Sequence, residues 1–152
     1  MPLLSEFSLG NLHTCRSEIV ETIQVVAEEY DIRVLEGVRS WKRQGELLMA
    51  EKTTKAPGES AHNPPKLPDG TEDKEWRSNA VDVVPYPIDW NDARRFIYMA
   101  GLIIGTGRAL GYNLLWGGNW DEDQIIIDDQ NFNDLPHFQW VGLFNVVTGE
   151  LM

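Results

Sequence analysis

The sequence is poor in cysteine and in basic residues, and each shortage excludes a class of protein. Cys15 is the only cysteine, so no intramolecular disulfide can form and a disulfide-stapled scaffold is excluded. Thirteen Lys and Arg stand against 24 Asp and Glu, which gives a net charge of −11. This balance argues against nucleic acid as a partner, because phosphate binding needs clustered basic side chains. The same balance gives no electrostatic attraction toward an anionic membrane or polymer.

Long apolar runs are also absent. The most apolar segment, residues 96–104, is followed by Arg108 well short of the roughly 20 residues that a membrane span needs. Residues 1–6 lack the basic region and apolar run of a signal peptide. We therefore expect a chain made in the cytoplasm. The length of 152 residues predicts one domain, residues 1–152, and we expect a monomer.

Apolar periodicity predicts an α+β fold in which helices pack on one side of a small, mostly antiparallel sheet. The pattern predicts helices over residues 12–30, 41–52 and 92–110 and strands over residues 32–37, 81–84, 112–116 and 138–141. Residues 5–11 are predicted to be a lead-in with a glycine turn. The inner face of the second helix is predicted to consist of Trp41, Leu47, Leu48 and Met49.

Proline marks the least regular region. Four of the eight prolines lie between residues 53 and 78, which excludes a long helix or a central strand there. We predict a surface insertion at about residues 63–77, anchored by Trp76. A sharper hypothesis makes this insertion one wall of a substrate cleft.

The chain has only three histidines, and two of them lie in motifs that also carry carboxylates. Asp82 lies in a predicted strand, and Asp134 precedes His137 by three residues. His62, Asp82 and His137 would suit Zn²⁺ with an open fourth position, and Asp134 could take a proton from water there. Spacing alone leaves open that these are ordinary polar histidines at strand ends. His13 has no second ligand-type residue at metal spacing and is expected to be structural or solvent-facing.

The motifs around these residues resemble the zinc peptidases of the hedgehog/D-Ala-D-Ala-peptidase superfamily. The resemblance is carried by Ser60-x-His62, Ala80-x-Asp82 and Asp134-x-Pro136-His137-Phe138. Within that group the chain is most similar to phage-type L-alanyl-D-glutamate endopeptidases, through Val38-Arg39-Ser40 with Gln44 and through Trp116-Gly117-Gly118-Asn119-Trp120. The chain departs from the family in a longer interval between His62 and Asp82, in Ser78 where the family has Gly, and in Gln139 where it usually has Glu.

The resemblance implies zinc-dependent hydrolysis of a peptide bond in peptidoglycan. It assigns the metal to His62, Asp82 and His137, the general base to Asp134, and oxyanion stabilisation to Arg39. Ser60, Gln44 and Trp116 are the implied substrate-side residues. Two alternatives remain open: a D-Ala–D-Ala carboxypeptidase or dipeptidase, and a zinc-bearing binding module without turnover. Retention of Asp134 disfavours the binding module.

A short acidic stretch gives one further hypothesis. Asp121, Asp123 and Asp128 crowd around three consecutive isoleucines. A solvated acidic loop is the simpler interpretation, and the spacing does not match the EF-hand pattern. Some phage relatives carry a calcium-regulated loop in this region, so the resemblance implies a candidate Ca²⁺ site.

Overall fold

The computed structural model describes residues 4–122 and 133–152. Its elements in chain order are α1 (Glu6–Leu12), α2 (Ser17–Glu29), β1 (Ile32–Glu36), α3 (Trp41–Met49), β2 (Ala80–Pro85), α4 (Ala93–Ala109), β3 (Tyr112–Gly117), β4 (Asp134–Asn145) and β5 (Glu150–Leu151). Within the described residues, no helix is both long and apolar enough to cross a membrane.

The strands form one antiparallel sheet in the order β1-β2-β4-β3, with β5 paired to β4. β-Branched residues favour strand formation in β1 and β2, and both strands contribute buried residues to the core. The predicted α+β class with a small antiparallel sheet is therefore confirmed.

The register of the sheet aligns three functional positions across three strands. Glu36 of β1 lies opposite Asp82 of β2, and Asp82 lies opposite His137 of β4. Directly opposed residues project from the same face of a sheet. The next pair along these two strands, Val81 and Phe138, projects from the other face and is fully buried.

The core lies between the sheet and the two longer helices. Phe96, Met99 and Ile103 of α4 are fully buried, as are Ile19 and Ile23 of α2. Their spacing of three and four residues keeps each set on one face of its helix. This packing holds β2 and β4 as a rigid support for the side chains on the opposite face.

Two predictions about the helices are wrong. Residues 6–12 form α1 rather than a lead-in, because Ser5 caps the helix by accepting a hydrogen bond from Ser8 N at 3.1 Å. In α3 the apolar inner face is not formed: Met49 is 87 % exposed, whereas Gln44 is fully buried. The buried amide of Gln44 bonds to neighbouring segments and so takes the place expected for an apolar side chain.

The segment between α3 and β2 is irregular, as its prolines predict. Within it, Lys66 and Glu72 form an isolated bridge, and Asp73 N donates to Pro65 O at 2.9 Å. Trp41 fastens the segment to α3, because its indole Nε1 donates to Pro64 O at 2.8 Å and its backbone N donates to Glu72 at 3.0 Å. Trp76, the predicted anchor, is half-buried.

Candidate metal centre

Three donor atoms from distant parts of the sequence converge at one end of the sheet. Asp82 comes from β2, His137 from the paired position of β4, and His62 from the loop before β2. These three residues, the candidate metal centre, can place one ligand atom each within 4.8 Å of one another. His62 and His137 are buried and Asp82 is half-buried. The group can therefore bind a metal ion.

The separations between the donor atoms fit a small tetrahedral ion. His62 Nε2 lies 3.1 Å from Asp82 Oδ1 and 3.3 Å from His137 Nδ1, and His137 Nδ1 lies 3.4 Å from Asp82 Oδ1. Ligands at about 2.0–2.1 Å from a tetrahedral ion stand about 3.3 Å apart. The triangle thus has the size that such an ion requires.

The outer nitrogen of each ring is already hydrogen-bonded. His62 Nδ1 lies 2.7 Å from Gly37 O, and a carbonyl oxygen only accepts, so Nδ1 carries the proton. His137 Nε2 lies 2.7 Å from Gln139 Oε1 and donates to it. In the neutral rings, His62 Nε2 and His137 Nδ1 then carry lone pairs. Such partners are what fix the tautomer of metal-binding histidines.

Three electron-rich atoms therefore face one another at 3.1–3.4 Å. Without a positive charge among them this arrangement is repulsive. Two kinds of charge can relieve the repulsion: protons on the rings, or a metal ion. The donor set of two imidazoles and one carboxylate is one that Zn²⁺ commonly takes.

The pKa shifts of Asp82 and His137 also favour a positive charge among the three donor atoms. Burial by itself would raise the pKa of Asp82, but hydrogen bonds from His137 and His62 and the charge of those rings outweigh it, so the pKa is lowered. Burial by itself would lower the pKa of His137, but hydrogen bonds to Asp82 and Gln139 and the nearby carboxylates raise it. The site favours a carboxylate surrounded by positive charge.

Asp134 is the additional carboxylate. Its Oδ2 lies 4.0 Å from His137 Nδ1, and its side chain is 36 % exposed. Burial and then the charge of Asp82 raise the pKa of Asp134. β3 positions it through Gly117, its register partner, where any Cβ would collide with the backbone oxygen of Asp134. Asp134 is thus close to the donor triangle without belonging to it.

Arg39 lines the same cavity and is held from two sides. Its Nε donates to Glu36 Oε1 at 2.8 Å, and its Nη1 donates to Gln44 Oε1 at 3.1 Å. Glu36 is the residue that lies opposite Asp82 in the sheet. Sequence reasoning missed Glu36, although its position three residues before Arg39 at the end of a strand was visible. Gln44 is buried and holds the Arg39 side chain, and its role toward substrate stays a prediction.

Ser60 and the tryptophan motif have separate roles. Ser60 lines the cavity, and its hydroxyl accepts a hydrogen bond from His62 N at 3.2 Å. Trp116 is buried in the core and donates from Nε1 to Leu135 O at 2.7 Å, so it supports β4 instead of lining the cavity. Trp120, which the sequence prediction passed over, lines the cavity, with its ring centroid 5.6 Å from that of His137.

The candidate metal centre opens into a cavity of about 1250 Å³. Asp134, Gln139 and Trp120 line it beside the three candidate ligands, and residues 51–55 line it as well. Residues 53–55, Ser60 and His62 of the irregular stretch line this cavity and none of residues 63–77 is among its described lining residues, so the wall role of the insertion stays a prediction. Asp123 and Asp128 of the candidate calcium site lie outside the described residues. That site stays a prediction, for which equal melting temperatures with calcium and with chelator, at constant zinc, would be contrary evidence.

Comparison with solved structures shows where this architecture occurs. The chain is similar to the crystal structure of the Serratia marcescens L-Ala D-Glu endopeptidase ChiX, with a TM-score of 0.67 and 24 % identity. The similarity covers 91 % of this chain and 90 % of that one. The fold is therefore the one seen in an endopeptidase structure. Comparison with curated protein sequences gives no match.

The family follows from a sequence profile. The phage L-alanyl-D-glutamate peptidase family matches residues 3–141, which is most of the chain. The chain belongs to this family, and its resemblance to phage-type endopeptidases is confirmed. It is an enzyme of the peptidase class that acts on peptidoglycan.

Proposed function

We propose that this chain cleaves the L-Ala–D-Glu bond of peptidoglycan stem peptides, using Zn²⁺ held by His62, Asp82 and His137. The family supplies the reaction class. The observation that supports the metal is the triangle of lone-pair atoms with sides of 3.1–3.4 Å. Both rings are oriented by acceptors behind them, which is the arrangement expected of ligands rather than of solvated histidines.

The bound ion would supply Lewis acidity toward the scissile carbonyl and toward a water molecule. The protein would supply the proton transfer. Asp134 Oδ2 is the acceptor for a proton from the attacking water, and the same oxygen returns that proton to the leaving amine of D-Glu. Burial and the charge of Asp82 raise the pKa of Asp134, which makes it a stronger base than an exposed carboxylate.

Arg39 would stabilise the oxyanion that develops on the scissile carbonyl. Its pairing with Glu36 and Gln44 fixes the guanidinium before substrate arrives. Such preorganisation matters because donors already aimed at the developing charge need no rearrangement during the reaction. Ser60 supports the site indirectly by holding the backbone of His62.

Mass spectrometry of digested muropeptides tests the bond. New L-Ala carboxyl ends and D-Glu amino ends are expected. Loss of a terminal D-Ala would instead show a carboxypeptidase. Muropeptides that stay uncleaved in the presence of zinc would overturn the proposed hydrolysis. The wall as site of action follows from this substrate, and release from the cytoplasm by another factor remains part of the proposal.

Two substitutions test the assigned roles. Asp134→Ala should reduce kcat by about 10²-fold or more, the usual range for a general base, while metal content stays near that of the unchanged protein. Full activity in this variant would falsify the base assignment. His137→Ala should lose metal and activity together. Retention of one equivalent of metal by that variant would remove His137 from the ligand set.

A further inference from the structure

The cavity that holds the candidate metal centre is also lined by the C-terminal part of α3 and the residues after it. These lining residues are Leu47 and Leu48 of α3 and residues 51–55, which together we call the lysine arm. The arm contains Lys52 and Lys55, two of the five lysines in the chain. A cationic arm is unexpected in a protein with a net charge of −11.

The two lysines are not neutralised by neighbours. Neither side chain forms an ion pair within residues 4–122 and 133–152, whereas Arg16, Arg33 and Arg39 each pair with a carboxylate. Glu51 is the one acidic residue among the arm's described lining residues. The arm therefore has a net charge of +1 from two lysines and one glutamate.

The backbone of the arm is fixed by defined contacts. At the end of α3, Lys52 N donates to Leu47 O at 2.9 Å while Glu51 adopts a φ of 58°, so the chain reverses sharply. Gln44 Nε2 then donates to Lys55 O at 2.9 Å. The other end of the same amide holds Arg39. A single buried side chain thus ties the lysine arm to Arg39.

The proposed substrate carries a charge that suits this arm. D-Glu has two carboxyl groups, and its amine is acylated by L-Ala. The peptide continues through one carboxyl group, so the other remains free unless it is amidated. This second group lies on the leaving-group side of the scissile bond, within the same residue as the nitrogen that departs.

We infer that the lysine arm is a subsite for the free carboxylate of the D-Glu residue, with Lys52 and Lys55 as its cationic partners. The inference rests on the proposed function and adds specificity to it. Leu47 and Leu48 line the same cavity as the two lysines.

A matched pair of peptides tests the subsite. The two peptides share the L-Ala–D-Glu bond and differ only in whether the second carboxyl group of D-Glu is a carboxylate or a carboxamide. Two exposed ion pairs predict a preference for the carboxylate of about 10-fold in kcat/KM. The preference should shrink as salt rises, because the Debye length falls from about 10 Å at 0.1 M to about 3 Å at 1 M.

Substitutions then assign the preference to the arm. The double variant Lys52→Gln/Lys55→Gln should bring the ratio of the two substrates close to one, with KM for the carboxylate peptide rising and metal content unchanged. Glu51→Gln should increase the ratio, because it removes the opposing charge. Lys42→Gln/Lys74→Gln, a control that removes the same charge from exposed lysines outside the cavity lining, should keep the ratio of the unchanged protein.

Binding measurements separate this inference from the proposed function. Calorimetry of both peptides with zinc-loaded Asp134→Asn protein should show the same carboxylate preference and its loss in the added lysine double variant. A preference that survives the lysine substitutions overturns the subsite, as does equal binding and turnover of both peptides. Absence of hydrolysis with a lysine-dependent binding preference would instead retain the subsite and overturn only the proposed reaction.

Discussion

The two histidines of the candidate metal centre are held by different kinds of structure. His137 lies in β4, directly opposite Asp82, so backbone pairing sets the distance between them. His62 lies in an irregular loop and depends on single polar contacts. Arg39 N donates to His62 O at 2.8 Å, and Gly37 O accepts from the ring. The strand half of the site is specified by the sheet, and the loop half by a few separate hydrogen bonds.

The largest expected effect comes from two glycines, one behind each half. At Gly37, a Cβ would lie 2.5 Å from Asn11 O and 2.8 Å from Cys15 Sγ, and at Gly117 it would collide with the backbone oxygen of Asp134. Gly37→Ala and Gly117→Ala should each lower the free energy of unfolding by about 3 kcal/mol, at the upper end of overpacking costs. Denaturant unfolding measures this.

Matched controls exist in two helices. Gly10 of α1 and Gly101 of α4 have no atom within 4 Å of an added Cβ. Gly10→Ala and Gly101→Ala should leave stability unchanged or raise it by up to about 1 kcal/mol. If the two test variants matched these controls, close backbone approach would not be what fixes either half of the site.

The next effect compares the acceptors behind the two rings. The acceptor for His137 is a side chain, Gln139, whereas that for His62 is a backbone carbonyl that no substitution deletes. Gln139→Leu should weaken metal affinity about 10–100-fold, the usual cost of losing a partner of a metal-binding histidine. Gln139→Glu should preserve the affinity, because a carboxylate also accepts from Nε2. Competition with a chromophoric chelator gives the measurement.

Gln24→Leu provides the control for that change, because Gln24 is an exposed residue of α2. It removes the same amide far from the site and should leave metal affinity unaltered. Equal affinities for Gln139→Leu and the unchanged protein would show that strand pairing alone orients His137.

A smaller effect is expected in the loop half alone. Asn63 is buried, and its Oδ1 accepts from Ser60 N at 3.0 Å while its Nδ2 donates to Arg39 O at 2.9 Å. Asn63→Ala should cost about 1–3 kcal/mol, because it leaves buried backbone groups without partners. Hydrogen exchange should speed up around His62 and stay slow in β2 and β4. Uniform acceleration would contradict a division into two halves, and Asn91→Ala, at an exposed position, is the control.

The smallest effect is a pH dependence of the chelated protein. The pKa of Asp82 is lowered by folding, so its contribution to stability is present above the unfolded value of about 3.9 and is lost as pH falls below it. The pKa of His137 is raised, so its contribution is present below about 6.5 and is lost as pH rises through the folded value. The melting temperature of the metal-free protein should therefore peak between these limits.

Zinc should remove the loss at high pH, because the ion then supplies the positive charge that the ring proton supplied. Melting curves across pH, with zinc and with chelator, make the comparison. Parallel profiles in the two conditions would argue against metal binding at these three residues.

The sequence was sufficient for the parts of the site that depend on local pattern. Asp82 could be placed on a strand because the apolar alternation around it spans the strand itself, and β2 includes all of that alternation. The family motifs brought His62 and His137 to the same site although 75 positions separate them. The roles of the side chains remain proposals, but the convergence of the three donors is what the motifs predicted.

Other features could not be predicted because they depend on tertiary contacts. The face of α3 was misassigned because a glutamine, not a leucine, is the buried residue, and its partners come from segments 5 to 19 positions away. Trp116 and Trp120 stand in one motif, and only the path of the chain after β3 decides which one lines the cavity. Glu36 acquires its role from the register of β1 against β2.

The insertion before β2 has a narrow neck, since Asp73 N bonds to Pro65 O and Trp41 holds Pro64. Changes in its exposed tip, which turns at Gly70, should therefore have little effect on the position of His62. Loop closure costs only about 0.6 kcal/mol for each doubling of length when the ends stay fixed. A wall-targeting peptide or a reporter could accordingly be inserted at this tip while the structure of the candidate metal centre stays unchanged.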